Sequence, residues 1–73
     1  MYYFVTELQT RPDGIVNSTI TTRSSFALGL NLYLTRAAAA VVTTDFTSVA
    51  LTLQSQDGEI VKNERFDTQY VEE

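Results

Sequence analysis

SSFALGLNLYLTRAAAAVV, residues 24–42, is the stretch on which the fold turns. Two periods compete inside it. Phe26, Leu28, Leu30, Leu32 and Leu34 alternate with smaller or more polar residues, as in a strand. Phe26, Leu30, Tyr33, Leu34, Ala37, Ala40 and Val41 instead form one stripe at helical spacing. Length decides. Nineteen residues closing on four alanines exceed an ordinary strand, and alanine is the strongest helix former. Ser24 or Ser25 offers an N-cap oxygen to an early free N–H, and Thr43, Thr44 and Asp45 weaken helix propensity beyond Val42. The stretch is expected to be the only helix, lying across a sheet made by its flanks. Leu28, Leu32 and Ala39 then fall opposite the core stripe, as a small apolar patch facing water. Gly29 reads as a tolerated helical glycine or as the mark of a close approach by a strand or a neighbouring chain.

Working outward, residues 2–10 alternate as a half-buried strand, and Arg11-Pro12-Asp13-Gly14 supplies a turn. Proline pre-sets φ, aspartate suits the second central position, and glycine takes the left-handed one that closes a three-residue hairpin loop. Residues 15–23 return as the second strand. Pairing Arg11 with Ile15 places Tyr2, Phe4, Leu8, Val16 and Ile20 on one face, with Thr6 and Thr22 among them. Glu7, Gln9, Asn17, Thr19, Thr21 and Arg23 fall on the other. The apolar set is expected to be the core face, and Tyr3 to sit outside beside Arg23, where it is a further interface candidate. Beyond the helix, Phe46 reads as a plug at the core rim. Residues 48–54 form a third strand with Val49, Leu51 and Leu53 facing the helix. Gln56-Asp57-Gly58 repeats the turn chemistry, and residues 59–66 form a fourth strand in which Ile60 and Val61 compete for the core. Residues 67–73 read as a tail. The order is ββαββ: a two-layer α+β domain with a four-stranded antiparallel sheet and one helix across one face.

Seventy-three residues make a single small domain whose core leaves a thin stability margin, and oligomerisation is the common reinforcement where cysteine is absent. Net charge is −4, and the five basic residues are scattered, whereas phosphate binding needs clustered cations. Direct nucleic-acid binding is therefore not expected. Nothing at the start reads as a signal peptide, and no apolar run approaches the ~20 residues of a membrane span. A cytosolic location at synthesis is expected.

The chain lacks histidine and cysteine, and with them the commonest general base, the commonest nucleophile and the usual zinc ligands. No glycine-rich phosphate loop occurs. Asp57 with Glu59, and Asp67 with Glu72, lie in a turn and a tail where nothing desolvates them. No enzymatic activity, cofactor, metal site or small-molecule substrate is expected.

Several segments resemble short uncharacterised proteins encoded by phages and mobile elements of Firmicutes. They are the opening Tyr2-Tyr3-Phe4-Val5 running to Gln9-Thr10, the Asp13-Gly14 turn and a helix ending in Ala37 to Ala40. Ser48-Val49-Ala50-Leu51 and Val61-Lys62-Asn63-Glu64, the latter after a second Asp-Gly hairpin, complete the set. Leu28, Leu30 and Leu32 stand where that family carries more charge. The resemblance implies a phage or mobile-element origin and brings no activity. Taken together, the chain is expected to be a non-enzymatic protein-interaction module that self-associates through the outer helix face, with Leu28, Leu32, Ala39 and Tyr3 in the contact. The alternatives are an acidic inhibitor of a host defence or nucleic-acid-binding protein, and a virion or assembly component.

Overall fold

The computed structural model describes residues 1–68. Strands β1 (Tyr3–Thr10) and β2 (Val16–Arg23) form the first hairpin, helix α1 spans Phe26–Ala40, and β3 (Ser48–Ser55) and β4 (Ile60–Asp67) form the second hairpin. The sheet is antiparallel throughout, in the order β2-β1-β3-β4. β2 and β3 therefore run parallel on either side of β1, and α1 is the crossover between them. The fold is the α+β two-layer ββαββ domain expected from the residue pattern. The described part measures 45 × 20 × 14 Å, and its smallest dimension holds one sheet and one helix layer.

Local chemistry sets each boundary. Both hairpins turn at glycines with positive φ, Gly14 at +89° and Gly58 at +91°, where a side chain would strain the backbone. The Asp13 carboxylate accepts from the Ile15 N–H at 3.0 Å, and the Gly14 N–H donates to the Arg11 carbonyl at 2.9 Å. Ser25 is the N-cap: its Oγ accepts from the Leu28 N–H at 3.2 Å. At the far end, the Val41 N–H closes on the Ala37 carbonyl and the Val42 N–H on the Ala39 carbonyl.

The core lies between α1 and the two central strands. Tyr33, Val49, Leu51 and Leu53 are fully buried, joined by Val5 and Ala40. Leu30, Leu32, Ala37, Phe46 and Phe66 pack around them, so Phe46 closes the rim as expected. The β1–β2 register pairs Tyr3 with Arg23, as the turn chemistry implied.

The face is the opposite of the expected one. Val5 and Glu7 are buried beneath the helix and Tyr3 is partly covered, whereas Tyr2, Leu8, Val16 and Ile20 are exposed. β3 decides this. Its Val49, Leu51 and Leu53 make the most apolar alternating face, and the β1–β3 register opposes Val5 to Leu53 and Glu7 to Leu51. Bringing Phe4 and Leu8 under the helix would need a one-residue slip, which exchanges the faces of β1. Contacts at both ends oppose that slip. The Gln56 N–H donates to the Tyr2 carbonyl at 2.9 Å, and the Thr47 N–H to the Thr10 carbonyl at 2.8 Å.

The helix is also rotated from the expected stripe. Gly29, Tyr33 and Ala40 are buried, while Phe26, Leu34 and Val41, expected inside, are exposed. Gly29 and Ala40 on this face let α1 come close to the sheet at its ends, with Tyr33 filling the space between. A Cβ on Gly29 would lie 3.0 Å from the Tyr3 Cβ and 3.3 Å from Leu53 Cδ1. Gly29 thus marks close approach by a strand. In β4, a bulge opposite Leu53 and Gln54 leaves both Ile60 and Val61 exposed, so neither enters the core.

Gly29→Ala is expected to destabilise the domain. Alanine favours the helix by about 1 kcal/mol, but overpacking against a central strand costs about 1–3 kcal/mol. A urea denaturation midpoint lower than that of the parent is the expected result. A higher midpoint would mean that α1 lifts off β1 at little cost.

Candidate interaction surface

Four residues were expected to form the contact, and the structure separates them. Leu28 is 52% exposed and Ala39 is exposed with it. Leu32 is not on the outer face: it is half-buried and packs against the core cluster. Tyr3 is not outside the sheet but on its helix side, with its ring edge-on to Phe26 at 5.5 Å between centroids and 72° between planes. The outer-helix patch is therefore reduced to Leu28 and Ala39. Asn31 and Thr35 share the exposed side, and the Thr35 hydroxyl donates to the Asn31 carbonyl at 2.8 Å.

A second apolar surface is the open face of the sheet. Phe4 and Leu8 project there from β1, Val16 and Ile20 from β2, and Ala50 from β3, because the pairing places them on the side away from α1. Ile20 is 69% exposed, Val16 53% and Leu8 41%. Thr6, Ser18, Thr22 and Thr52 lie between them, and the Thr52 hydroxyl donates to Asn63 Oδ1 at 3.3 Å. Arg65 and Asp67 form an ion pair of 3.1 Å at the β4 side of this face. The combination of half-exposed β-branched and aromatic residues with hydroxyls, and charges only at one border, suits a protein contact more than a solvated face.

The polar groups beneath the helix have structural partners. The Tyr33 hydroxyl donates to Glu64 Oε1 at 2.7 Å, tying the centre of α1 to β4. Burial, followed by that bond and the charge of Glu64, holds the Tyr33 phenol well above the ordinary value of 10.0. Glu7, 8% exposed, accepts from Gln9 Nε2 at 3.2 Å and faces Arg36 Nη1 at 3.8 Å. Among the described residues no buried side-chain polar atom lacks a partner, and no concave pocket forms. The sequence signal for the open face was legible, since the set Phe4, Leu8, Val16 and Ile20 was identified, but it was assigned to the core.

No family model matches the chain, and no curated protein or solved structure matches it either.

Two outcomes follow for stability. Leu32→Glu is expected to cost about 2 kcal/mol or more by placing a carboxylate in the core, while Leu28→Glu stays within about 0.5 kcal/mol of the parent. Chemical denaturation of both variants checks this, and equal losses would show that α1 presents both leucines alike. Because the Tyr33 phenol ionises at higher pH folded than unfolded, its contribution is complete below pH 10 and is lost as pH rises above it. Tyr33→Phe is expected to lower stability at pH 7 by about 1–2 kcal/mol and to flatten the alkaline decline.

Proposed function

We propose that this chain is a non-enzymatic protein-interaction module that self-associates, and that the open face of its sheet, rather than the outer helix face, is the contact. The apolar set Phe4, Leu8, Val16 and Ile20, on a face with no second layer among the described residues, supports this reading. Size supports it as well. Four strands of eight residues at about 4.8 Å spacing and about 3.3 Å rise cover roughly 500 Å². Two copies face to face then bury on the order of 1,000 Å², the level at which specific interfaces begin. Aligned sheet-on-sheet packing lets the two sets of β-branched and aromatic side chains interdigitate. At about 25 cal/mol per Å² of apolar surface, such burial adds to a thin single-domain core.

The proposal extends to origin and setting. The opening Tyr-Tyr strand and the paired Asp-Gly hairpins support a phage or mobile-element source, and the bacterial cytosol or a virion as its location. Scattered cations and a net charge of −4 support a protein partner rather than nucleic acid. Among the described residues no helix is long and apolar enough to cross a membrane.

Light scattering behind a sizing column, over a wide concentration range, tests the reading. The parent chain is expected to be multimeric. Leu8→Glu, at the centre of the face, is expected to reduce the mass with an unchanged circular dichroism spectrum. Leu28→Glu is expected to leave the mass as it was. A Leu8→Glu variant with the parent's mass at every concentration overturns the open-face contact.

A further inference from the structure

The two edges of the sheet are not alike. β4 carries Lys62, Glu64, Arg65 and Asp67 and a bulge, all devices that discourage another strand from adding to it. β2 has no bulge and a single charge, at its last residue. Its sequence VNSTITTR is uncharged until Arg23, contains no proline and pairs with β1 without irregularity over all its residues. A regular edge whose first seven residues carry no charge is unusual in a protein that stays solitary.

The hydrogen-bond phase of the hairpin says which backbone groups of β2 point outward. The Arg11 N–H donates to the Ile15 carbonyl at 2.8 Å, so Arg11 and Ile15 are a hydrogen-bonded pair. Such pairs alternate along antiparallel strands, and Asn17, Thr19, Thr21 and Arg23 therefore turn their N–H and C=O groups toward β1. Val16, Ser18, Ile20 and Thr22 turn theirs away from the sheet. An independent contact agrees: the Arg23 guanidinium donates to the Thr22 carbonyl at 3.0 Å, as only an outward carbonyl allows.

We infer that β2 pairs antiparallel with the β2 of a second copy, on a two-fold axis at Ser18, joining two sheets edge to edge. In this register Ser18 opposes the second copy's Ser18, and Val16 opposes its Ile20 on the open face. Each outward N–H of Val16, Ser18 and Ile20 meets an outward carbonyl, and two β-branched apolar pairs flank the axis. Thr22 lies outside this central set, so the Arg23 cap on its carbonyl stays in place. The same register carries Arg23 to the end of the strand beside the second copy's turn, where Asp13 resides. There Arg23 of one copy meets the carboxylate of Asp13, which its own Arg11 faces at 3.6 Å. A second copy matches the outward hydrogen-bonding groups, the apolar pairs and the Arg23–Asp13 approach at once, which is why it is the occupant assigned.

This edge contact is distinct from face-to-face packing, and one set of variants separates them. Leu8 is on central strand β1 and touches the face alone, whereas the Ser18 N–H points outward and contributes nothing to the β1 ladder. Proline at Ser18 is therefore tolerated by an edge strand but removes the donor on the axis. Leu8→Glu is expected to remain a dimer by light scattering, and Leu8→Glu with Ser18→Pro to be a monomer. In the Leu8→Glu dimer, the Ser18 and Ile20 amides are expected to exchange at least about ten-fold more slowly at high than at low concentration. Thr19 and Thr21, bonded to β1, are expected to be protected at both. A monomeric Leu8→Glu overturns the edge contact and leaves the face contact standing. A Leu8→Glu variant with the parent's mass that Ser18→Pro then reduces supports the edge and overturns the face. A parent chain monomeric at all concentrations overturns both. Should Ser18→Pro fail to fold, amide exchange in Leu8→Glu decides: concentration-independent exchange at Ser18 and Ile20 overturns the proposal.

Discussion

The pairing of β1 with β3 is the constraint on which the rest of this domain depends. β1 has two faces that are each half apolar, Tyr3 and Val5 on one and Phe4 and Leu8 on the other. β3 has no such ambivalence, because Val49, Leu51 and Leu53 share one face and are almost wholly buried. Once Val5 is set opposite Leu53, every other side of the molecule is assigned. β2 inherits its orientation from β1, and β4 inherits its own from β3.

The helix answers to the same constraint. Tyr33 reaches across the β3 leucines to Glu64 on β4, so its hydroxyl fixes where the helix lies over the sheet. Gly29 then sits tightly against Tyr3 and Leu53, where an added Cβ would lie 3.0 Å and 3.3 Å from them. Close approach at one end and a hydrogen-bonded phenol at the middle turn the larger residues Phe26, Leu34 and Val41 toward the flank. Transfer free energy alone would have buried them; packing density overrode it.

A consequence is that the domain covers one of its two apolar sheet faces. Glu7 occupies covered space beneath α1, with Gln9 and Arg36 as its partners, while Ile20 and Val16 remain in water. For a chain with a thin core, this division leaves an apolar face without a second layer among the described residues, which the proposed face-to-face contact would supply. The edges are likewise unequal, since charge and a bulge guard β4 while β2 is regular and carries no charge before Arg23.

By itself the sequence determined the elements, their order and the register of the first hairpin; the bulge in the second was not legible in it. Those depend on short-range physics: alanine-rich helix propensity, a serine cap, and Asp-Gly turns whose geometry sets which residues of a hairpin oppose each other. It also singled out Phe4, Leu8, Val16 and Ile20 as one face, and Leu28 as exposed. Which face of the first hairpin meets the helix, and which side of the helix meets the sheet, was decided only in the tertiary structure. Leu32 and Tyr3 were misplaced for that reason. A hairpin's register relates its two strands to each other but contains nothing about a third strand. The helical wheel ranks side chains by hydrophobicity but not by how near they let two backbones come.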